Sequence, residues 1–418
     1  MSEFLIECAA LALRWLHVVA AIAWIGESFY FVMLDRALKP AANAPTGVFG
    51  ELWSVHGGGF YHKQKYLVAP AQMPQDLHWS KWKSYTTWMS GFALFALLYL
   101  WSPDLYLIDP GVAALSSTQA VALALAFPLL GWLIYDLICR AVGFRDGLLG
   151  ALVLVQVIAL SYAATHVFAG RAAFLLVGAV MATIMSANVF FIIIPGQKRM
   201  VAALARGESP DPLPGKRAKQ RSVHNTYFTL PVVFAMLSNH YATAYVHPRS
   251  WLVLLLFMAA GALIRQFFVL WHSGGRAWGL LAGGCAVLLG VFAWLAPQAV
   301  PAPTVAAGTA AVRTAATSDP AGTSATARIS TAVPDSTAIH KILLQRCTVC
   351  HSAHPSMMAA APKGAMFDDV AVVEKNAALI HRQVVTLRIM PPGNVTQISD
   401  EERAAIARWF EARTTPAR

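Results

Sequence analysis

Three residues near the carboxyl end of the chain, Cys347, Cys350 and His351, form a Cys-x-x-Cys-His motif. Two thiols at this spacing bind a c-type haem covalently, and the adjacent imidazole binds its iron. The motif therefore predicts one covalently attached haem c. The two cysteines could instead belong to a zinc or redox site, but zinc needs two more ligands, and only His354 lies nearby. We expect no metal other than haem iron.

Met390 lies 39 residues after His351 and is followed by two prolines. Cytochromes c commonly use a methionine thioether as the second axial ligand of the iron, and prolines stiffen the loop that carries it. His351 and Met390 are therefore the predicted axial ligands. Haem c is attached outside the bacterial cytoplasm, so we expect this part of the chain to be exported.

The composition of the chain is that of an integral membrane protein. Hydrophobic residues make up 57% of its 418 residues, and charged residues only 13%, which is too apolar for a soluble protein of this size. A net charge of +11 could indicate nucleic-acid binding. The basic residues lie between apolar segments, however, where they commonly set membrane orientation. We expect a lipid bilayer as a partner and no nucleic acid.

Eight apolar runs approach the length of about 20 residues that a membrane-spanning helix needs. They predict an all-α fold with an eight-helix transmembrane bundle. The sixth run is the least regular, because Pro231, Asn239 and His240 interrupt it. The runs are 12–34, 86–101, 119–138, 148–168, 172–194, 227–245, 250–271 and 277–296.

The distribution of Lys and Arg predicts the orientation of this bundle. Basic residues are concentrated in the loops that follow the first, third, fifth and seventh helices, whereas the other loops contain only Arg171 and Arg249. Loops rich in Lys and Arg usually stay in the cytoplasm. We therefore expect a bacterial inner-membrane protein with both termini in the periplasm, in agreement with an exported haem c domain.

Three regions follow along the chain. Residues 1–296 form the predicted membrane domain, in which an inner loop, 35–85, connects the first two helices. Residues 297–335 are rich in Ala, Pro, Thr and Ser and are expected to form a disordered periplasmic linker. Residues 336–418 are expected to form a small class I cytochrome c domain, whose last helix begins at a capping box, Ser399 to Glu402.

Histidines in the predicted membrane helices are candidates for a second haem. His17, His166 and His240 all lie toward the outer ends of their predicted helices. Two imidazoles from facing helices can ligate a low-spin haem b, so we expect at least one haem b, held by His17 with His166 or His240. The alternative is that these histidines are hydrogen-bonded packing residues.

The inner loop is rich in residues that could bind a flat anion. His56, His62, Lys63 and Lys65 occur among glycines and aromatic residues. Histidine and lysine offer hydrogen-bond donors, and aromatic rings offer stacking faces. The loop could equally be an amphipathic interfacial segment whose aromatic residues lie at the membrane surface.

Glu27 and Arg265 are the ionisable residues placed most deeply in the predicted helices. At 1.5 Å per residue, both lie roughly 20 Å from the outer surface. Isolated charges at this depth are costly, so we expect the two side chains to pair, directly or through a substrate or haem propionate. Such a pair could be structural or part of a site.

The run from His17 to Tyr30, together with the segments Glu51–Lys65 and Leu77–Trp82 and a tethered cytochrome c, resembles the bacterial membrane-bound cytochrome c urate oxidases, also called urate hydroxylases. The resemblance implies oxidation of urate to 5-hydroxyisourate in purine catabolism, on the cytoplasmic side. It also implies that electrons pass through membrane haem to haem c, so that no hydrogen peroxide forms. Glu27, His56 or His62 could then accept a proton from urate.

The electron acceptor is expected to be a soluble or membrane cytochrome or a terminal oxidase. Two other classes of protein fit the same motifs. One is a quinol-oxidising membrane cytochrome fused to a cytochrome c. The other is a non-catalytic anchor that presents a tethered cytochrome for electron transfer.

Overall fold

The computed structural model describes residues 2–40, 43, 45–70, 72–296, 333–357, 361 and 365–414. The described chain is mostly helical, as predicted. The helices of its amino-terminal part are α1 Ser2–Ala37, α2 Trp82–Phe95, α3 Pro103–Tyr106, α4 Ser117–Val142, α5 Asp146–Val167, α6 Gly170–Ala187, α7 Ile194–Ala205, α8 Pro212–Leu237, α9 Ala242–Tyr245, α10 Ser250–Trp271 and α11 Trp278–Leu295. Two π-helical turns, Ala96–Leu100 and Asn188–Ile193, extend α2 and join α6 to α7.

The inner loop contains a β-hairpin, which corrects the prediction of an all-α fold. Strand β1 (Val48–His56) pairs antiparallel with β2 (Gly59–Tyr66). The two residues between them, Gly57 and Gly58, both have positive φ, at 57° and 80°. Two such residues in a two-residue connection suit the twist of a hairpin, and glycine adopts them without strain. These glycines thus form the turn that the hairpin requires.

Each of the eight predicted spans coincides with helical structure in the described residues. Only six helices of the described chain are long and apolar enough to cross a membrane. This is compatible with a membrane protein, although a count of eight spans is not confirmed. The six are Leu5–Ala37, Ser117–Val142, Asp146–Val167, Gly170–Ala205, Ser250–Trp271 and Trp278–Leu295.

The sixth predicted span, 227–245, is wrong in its bounds. Helix α8 begins at Pro212, where Asp211 caps it by accepting a hydrogen bond from the Leu213 amide at 2.9 Å. It ends at Leu237 and is followed by a 3₁₀ turn, Ser238–His240. The first half of α8 is rich in Lys and Arg, so this part of the helix does not appear as an apolar run in the sequence.

The centre of the bundle is α6, which packs against α4, α5 and α8. Most of its residues are buried, and the side chains of Phe174, Leu176 and Met181 are almost fully enclosed. Helices α1 and α2 pack along each other, and so do α10 and α11. The hairpin follows the carboxyl end of α1, and we call this side of the bundle the hairpin end. The opposite side is the cytochrome end.

The carboxyl-terminal domain has its own hydrophobic core. Its first and last helices pack together, and the Trp409 indole donates a hydrogen bond to Ser336 at 3.2 Å. The predicted capping box is present, since Ser399 and Glu402 each accept a hydrogen bond from the other's amide. Residues 297–332 of the predicted linker lie outside the described residues. The helices are α12 Ser336–Arg346, α13 Val370–Lys375, α14 Ala377–Ile380 and α15 Asp400–Thr414, with a π-helical turn at His381–Thr386 and a 3₁₀ turn at Pro392–Asn394.

Gly178 on α6 tests the packing of this central helix. A Cβ added there would lie 2.7 Å from the Cβ of Ala235 on α8, whereas a Cβ added at Gly283 on α11 would meet nothing within 4 Å. We expect Gly178→Ala to lower the free energy of unfolding by about 1–3 kcal/mol, because α6 and α8 must separate. Gly283→Ala is the matched control and should be neutral or stabilising by up to about 1 kcal/mol. Thermal unfolding of the two variants in detergent checks this, and equal midpoints would contradict it.

Candidate functional site

Four predicted haem ligands in the carboxyl-terminal domain line one cavity of about 1020 Å³. They are Cys347, Cys350, His351 and Met390. The His351 Nδ1 donates a hydrogen bond to the carbonyl oxygen of Ala365 at 2.9 Å. A metal-binding histidine commonly donates its second ring N–H in this way, which fixes the ring and leaves the other nitrogen for the metal. The Nε2 of His351 is therefore the nitrogen available to an iron.

Met390 is the methionine best placed to act as the second axial ligand. It lines the cavity with His351, whereas Met357 and Met366 are exposed, at 44% and 43%. The Arg403 guanidinium, which is only 7% exposed, donates to the Met390 carbonyl oxygen at 3.0 Å and also to the Val384 carbonyl oxygen. Arg403 therefore fixes the backbone that carries the thioether.

Our reading of the sequence did not identify Arg403, although its position offers a signal. It lies on the same face of α15 as Ile406 and Phe410, at helical spacing. A charged residue within an apolar stripe usually has a buried partner. Here the partners are two backbone carbonyl groups, one in the π-helical turn His381–Thr386 and one at Met390 in the loop that precedes α15.

The residues of this cavity fit a covalently bound haem. Both cysteines are buried and free of disulfides. Burial raises the pKa of the Cys347 thiol to about 12 and also raises that of Cys350, so both thiols are protonated at neutral pH. Among the described residues, no three His, Cys, Asp or Glu side chains are grouped so that they could hold a metal ion.

The opposite wall of the same cavity belongs to the cytochrome end of the membrane bundle. Tyr106, Arg171 and His247 line it. The turn at Pro392–Asn394, next to Met390, contacts α3. The face of the carboxyl-terminal domain that carries the predicted haem ligands is therefore turned toward the bundle.

At the hairpin end, Glu27 and Arg265 do not form the predicted direct pair, while pairing through a substrate or a haem propionate stays a prediction. The Glu27 carboxylate accepts from the Lys83 ammonium at 2.6 Å and also from the Ser80 hydroxyl. Lys83 lies on α2, the helix against which α1 packs along its length. The prediction was based on the similar depth of the two residues in their helices. In the structure, the Glu27 side chain contacts α2, whereas Arg265 lies on α10.

The last turns of α1 also hold the hairpin. Asp35 accepts from Lys65 of β2 at 2.7 Å and from Lys219 of α8 at 2.9 Å. The Lys63 ammonium donates to the Ser54 hydroxyl and lies 5.4 Å from the centre of the Tyr30 ring. Both predicted lysines therefore bind residues of the chain at this end.

The two histidines of the hairpin differ in their surroundings. The His62 ring stacks on Trp53 with centroids 4.2 Å apart, and its Nε2 lies 2.7 Å from the Glu51 carboxylate. A carboxylate at one ring nitrogen orients an imidazole and leaves the other nitrogen to accept a proton. His56 is exposed next to the turn, and its side chain makes no hydrogen bond within the described part of the chain.

Arg265 is buried, with an exposure of 3%, and its guanidinium stacks over the Phe29 ring at 4.1 Å. Two of its nitrogen atoms, Nε and Nη2, have no hydrogen-bond partner in the described residues. The neighbouring residue, Gln266, accepts a hydrogen bond from the Tyr227 hydroxyl on α8. Phe29 and Tyr30 are consecutive on α1, so Arg265 and the hairpin contact α1 at the same level.

The candidate haem b ligands lie on separate elements. The His17 Nδ1 donates to the Thr87 carbonyl oxygen at 3.0 Å, and its ring packs so closely on α2 that a Cβ added at Gly91 would lie 2.7 Å from its Cε1. The His166 Nδ1 donates to the Tyr162 carbonyl oxygen at 2.7 Å, and its ring is exposed, as is His240. His17 and His166 thus each leave Nε2 for a metal, while their pairing stays a prediction.

A buried polar cluster near the hairpin end was not expected from the sequence. Arg221 of α8, with an exposure of 4%, pairs with Asp136 of α4 at 2.7 Å. The Tyr135 hydroxyl lies 2.7 Å from His224 Nδ1 and accepts from Asn188 at 3.1 Å. Asp136 within the apolar run 119–138 was the available signal, because an acidic residue there needs a cation.

These features define a helical, membrane-compatible protein with a carboxyl-terminal domain that carries a Cys-x-x-Cys-His motif. Residues 3–296 match the family described as Urate oxidase N-terminal. The match covers well over half of the chain, and the chain belongs to this family. No match was found among curated proteins or among solved structures. The family indicates an oxidoreductase that acts on urate, while linkage to cytochrome c stays a prediction because Cys347 lies beyond the matched residues.

Substituting Met390 tests its role as an axial ligand. We expect Met390→Ala to keep haem c attached, because the thioethers involve Cys347 and Cys350. The reduction potential should fall, because methionine ligation raises it, and the weak Met-to-iron charge-transfer band should disappear. Redox titration and visible spectra of the full-length protein measure both. The exposed Met366→Ala is the control; a band that survives in Met390→Ala and disappears in the control would contradict the assignment.

The Glu27–Lys83 pair can be tested by its coupling. Because the two side chains are in contact, the effects of Glu27→Gln and Lys83→Met on unfolding should be non-additive, by about 1 kcal/mol for this partly exposed pair. The effects of Glu27→Gln and Arg265→Met should add to within about 0.5 kcal/mol. Thermal unfolding of the single and double variants gives both coupling energies. A larger coupling with Arg265 than with Lys83 would contradict the structure.

Proposed function

We propose that the protein oxidises urate to 5-hydroxyisourate and passes the electrons to haem c, without forming hydrogen peroxide. Urate and one water give 5-hydroxyisourate, two protons and two electrons. The observation that carries the proposal is the family match over residues 3–296, in a chain that continues into a Cys-x-x-Cys-His motif.

Haem c, once attached, would accept electrons one at a time and deliver them to a soluble or membrane cytochrome or a terminal oxidase. Cys347 and Cys350 would hold it covalently, and His351 and Met390 would bind its iron. The cavity that these residues share and the hydrogen bond from His351 to Ala365 support this assignment. The proposed location is the periplasmic side of a bacterial inner membrane.

The hairpin end is the proposed urate side. Urate is a planar anion at neutral pH, and this end supplies cations, aromatic faces and a base. Of the three base candidates, Glu27 is engaged by Lys83 and His56 has no partner that orients it. His62 is held by Glu51 and stacked on Trp53. We therefore assign the general base to His62, with Nδ1 accepting a proton from urate.

Electrons would have to travel from the hairpin end to the cytochrome end. Helix α5, with 22 residues, joins the two ends and is about 33 Å long at 1.5 Å per residue. At least one haem b is therefore part of the proposal. His17 and His166, each with Nδ1 bound to a backbone carbonyl, are the ligand candidates best oriented for it.

Anaerobic addition of urate to the oxidised full-length protein tests the proposed function. We expect each urate to reduce up to two haem equivalents, with growth of the reduced c-type absorption band and no hydrogen peroxide on re-oxidation by an external acceptor. A pyridine haemochrome assay on the same sample should show haem b as well as haem c. Reduction by quinol but not by urate would favour a quinol-oxidising cytochrome. Reduction by neither would favour a non-catalytic anchor.

A further inference from the structure

Arg265 is a buried cation without a counter-ion in the part of the chain that the structure describes. It is 3% exposed, and Nε and Nη2 of its guanidinium lack hydrogen-bond partners among the described residues. An arginine within a membrane-spanning helix is costly unless its charge is paired or hydrated. Buried polar groups are nearly always satisfied, so an unsatisfied pair of N–H groups in one side chain points to a missing partner.

The two acidic residues on the adjacent part of α1 do not supply that partner. Glu27 is bound by Lys83 and Ser80. Asp35 is bound by Lys65 and Lys219. Since both carboxylates are already neutralised by lysines, neither of them is the counter-ion of Arg265.

The geometry of Arg265 defines the shape of this anion. Nε and Nη2 lie on the same edge of the guanidinium, so their N–H groups form two parallel donors. Such a fork matches a planar anion with two adjacent acceptor atoms. The Phe29 ring covers one face of the guanidinium at 4.1 Å, which holds this edge in a fixed plane.

A groove of about 740 Å³ lies at the hairpin end, between α8 and the start of α5; Arg265 does not line it. It runs along α8 from Pro212 to Tyr227, and its charged lining residues are Lys216, Lys219 and Asp146. The two lysines exceed the single carboxylate, so the net charge of the lining favours an anion. At the end of the groove, the Tyr227 hydroxyl donates to Gln266, the residue next to Arg265.

We propose that Arg265 is the anchor of the urate anion, which it binds through the deprotonated ring nitrogen and the adjacent carbonyl oxygen at C2. This inference rests on the proposed function and assigns one residue to substrate recognition. A carboxylate, such as a haem propionate, presents the same two acceptor atoms and is distinguished by the experiment below.

Urate binding to the full-length protein reduced with dithionite under anaerobic conditions tests the anchor without turnover. We expect Arg265→Gln to raise the dissociation constant for urate roughly 100-fold, because two charge-assisted hydrogen bonds are lost. Arg265→Lys keeps the charge but not the two parallel donors. Its dissociation constant for urate should lie between those of the wild type and Arg265→Gln. Arg276→Gln, an exposed arginine in the loop after α10, is the matched control and should bind as the wild type does. Arg265→Met replaces Arg265→Gln if the latter does not fold, since an apolar side chain suits this buried position.

The urate analogue 6,8-dioxopurine, which lacks the C2 oxygen, tests which edge of urate Arg265 binds. The wild type should bind this analogue at least about 10-fold more weakly than urate, since one bond of the fork is missing. Arg265→Gln should bind both compounds equally. If the wild type and Arg265→Gln showed the same ratio of dissociation constants for 6,8-dioxopurine and urate, the assignment of the C2 edge would be overturned.

An unchanged dissociation constant in Arg265→Gln overturns the anchor, whatever else changes. If haem spectra or potentials shift while urate affinity stays the same, Arg265 binds a propionate. If only thermal stability falls, its role is structural. A different result would contradict the proposed function without contradicting the anchor: the wild type binds urate through Arg265, but urate does not reduce haem c.

Discussion

Charges inside an apolar bundle must be neutralised locally, and this constraint organises the hairpin end of the molecule. Helix α1 crosses the bundle and meets α2, α8 and the hairpin through two acidic residues. Glu27 forms an ion pair with Lys83, and Asp35 forms ion pairs with Lys65 and Lys219. These ion pairs connect elements that are far apart in sequence, and each of them is partly exposed at the hairpin end. Arg265 is the exception in the same region, and it is the place where a ligand would complete the charge balance.

The two ends of the bundle have different chemistry. The hairpin end combines cations, aromatic rings and a carboxylate-bound imidazole, which suits recognition and deprotonation of a planar anion. The cytochrome end faces a domain whose four potential haem ligands surround one cavity. A substrate site and an electron exit on opposite sides of one helical domain would separate urate from the terminal electron carrier.

Local patterns in the sequence were reliable guides where local rules decide the structure. The capping box at Ser399 and Glu402 is formed as predicted, and apolar runs locate most helices, since neither depends on distant residues. Tertiary partners could not be predicted in this way. In the basic first half of α8, Lys216, Arg217 and Lys219 are exposed, and the buried Arg221 is neutralised by Asp136 on α4. Glu27 and Arg265 share a depth, but the direction in which each side chain leaves its helix decides its partner. The glycines of the inner loop fit a flexible binding segment and a hairpin turn equally well until β1 and β2 are seen to pair.

Sidedness of haem c reduction tests the central claim, which is transfer of electrons from urate at the hairpin end to haem c at the cytochrome end. The measurement uses anaerobic sealed vesicles of both orientations, with urate added outside and the reduced c-type absorption band recorded. Urate should reduce haem c at once in inverted vesicles, whose outer surface is the cytoplasmic one. In right-side-out vesicles it should do so only after the membrane is permeabilised. Rapid reduction in sealed right-side-out vesicles, with none in sealed inverted ones, would contradict the account.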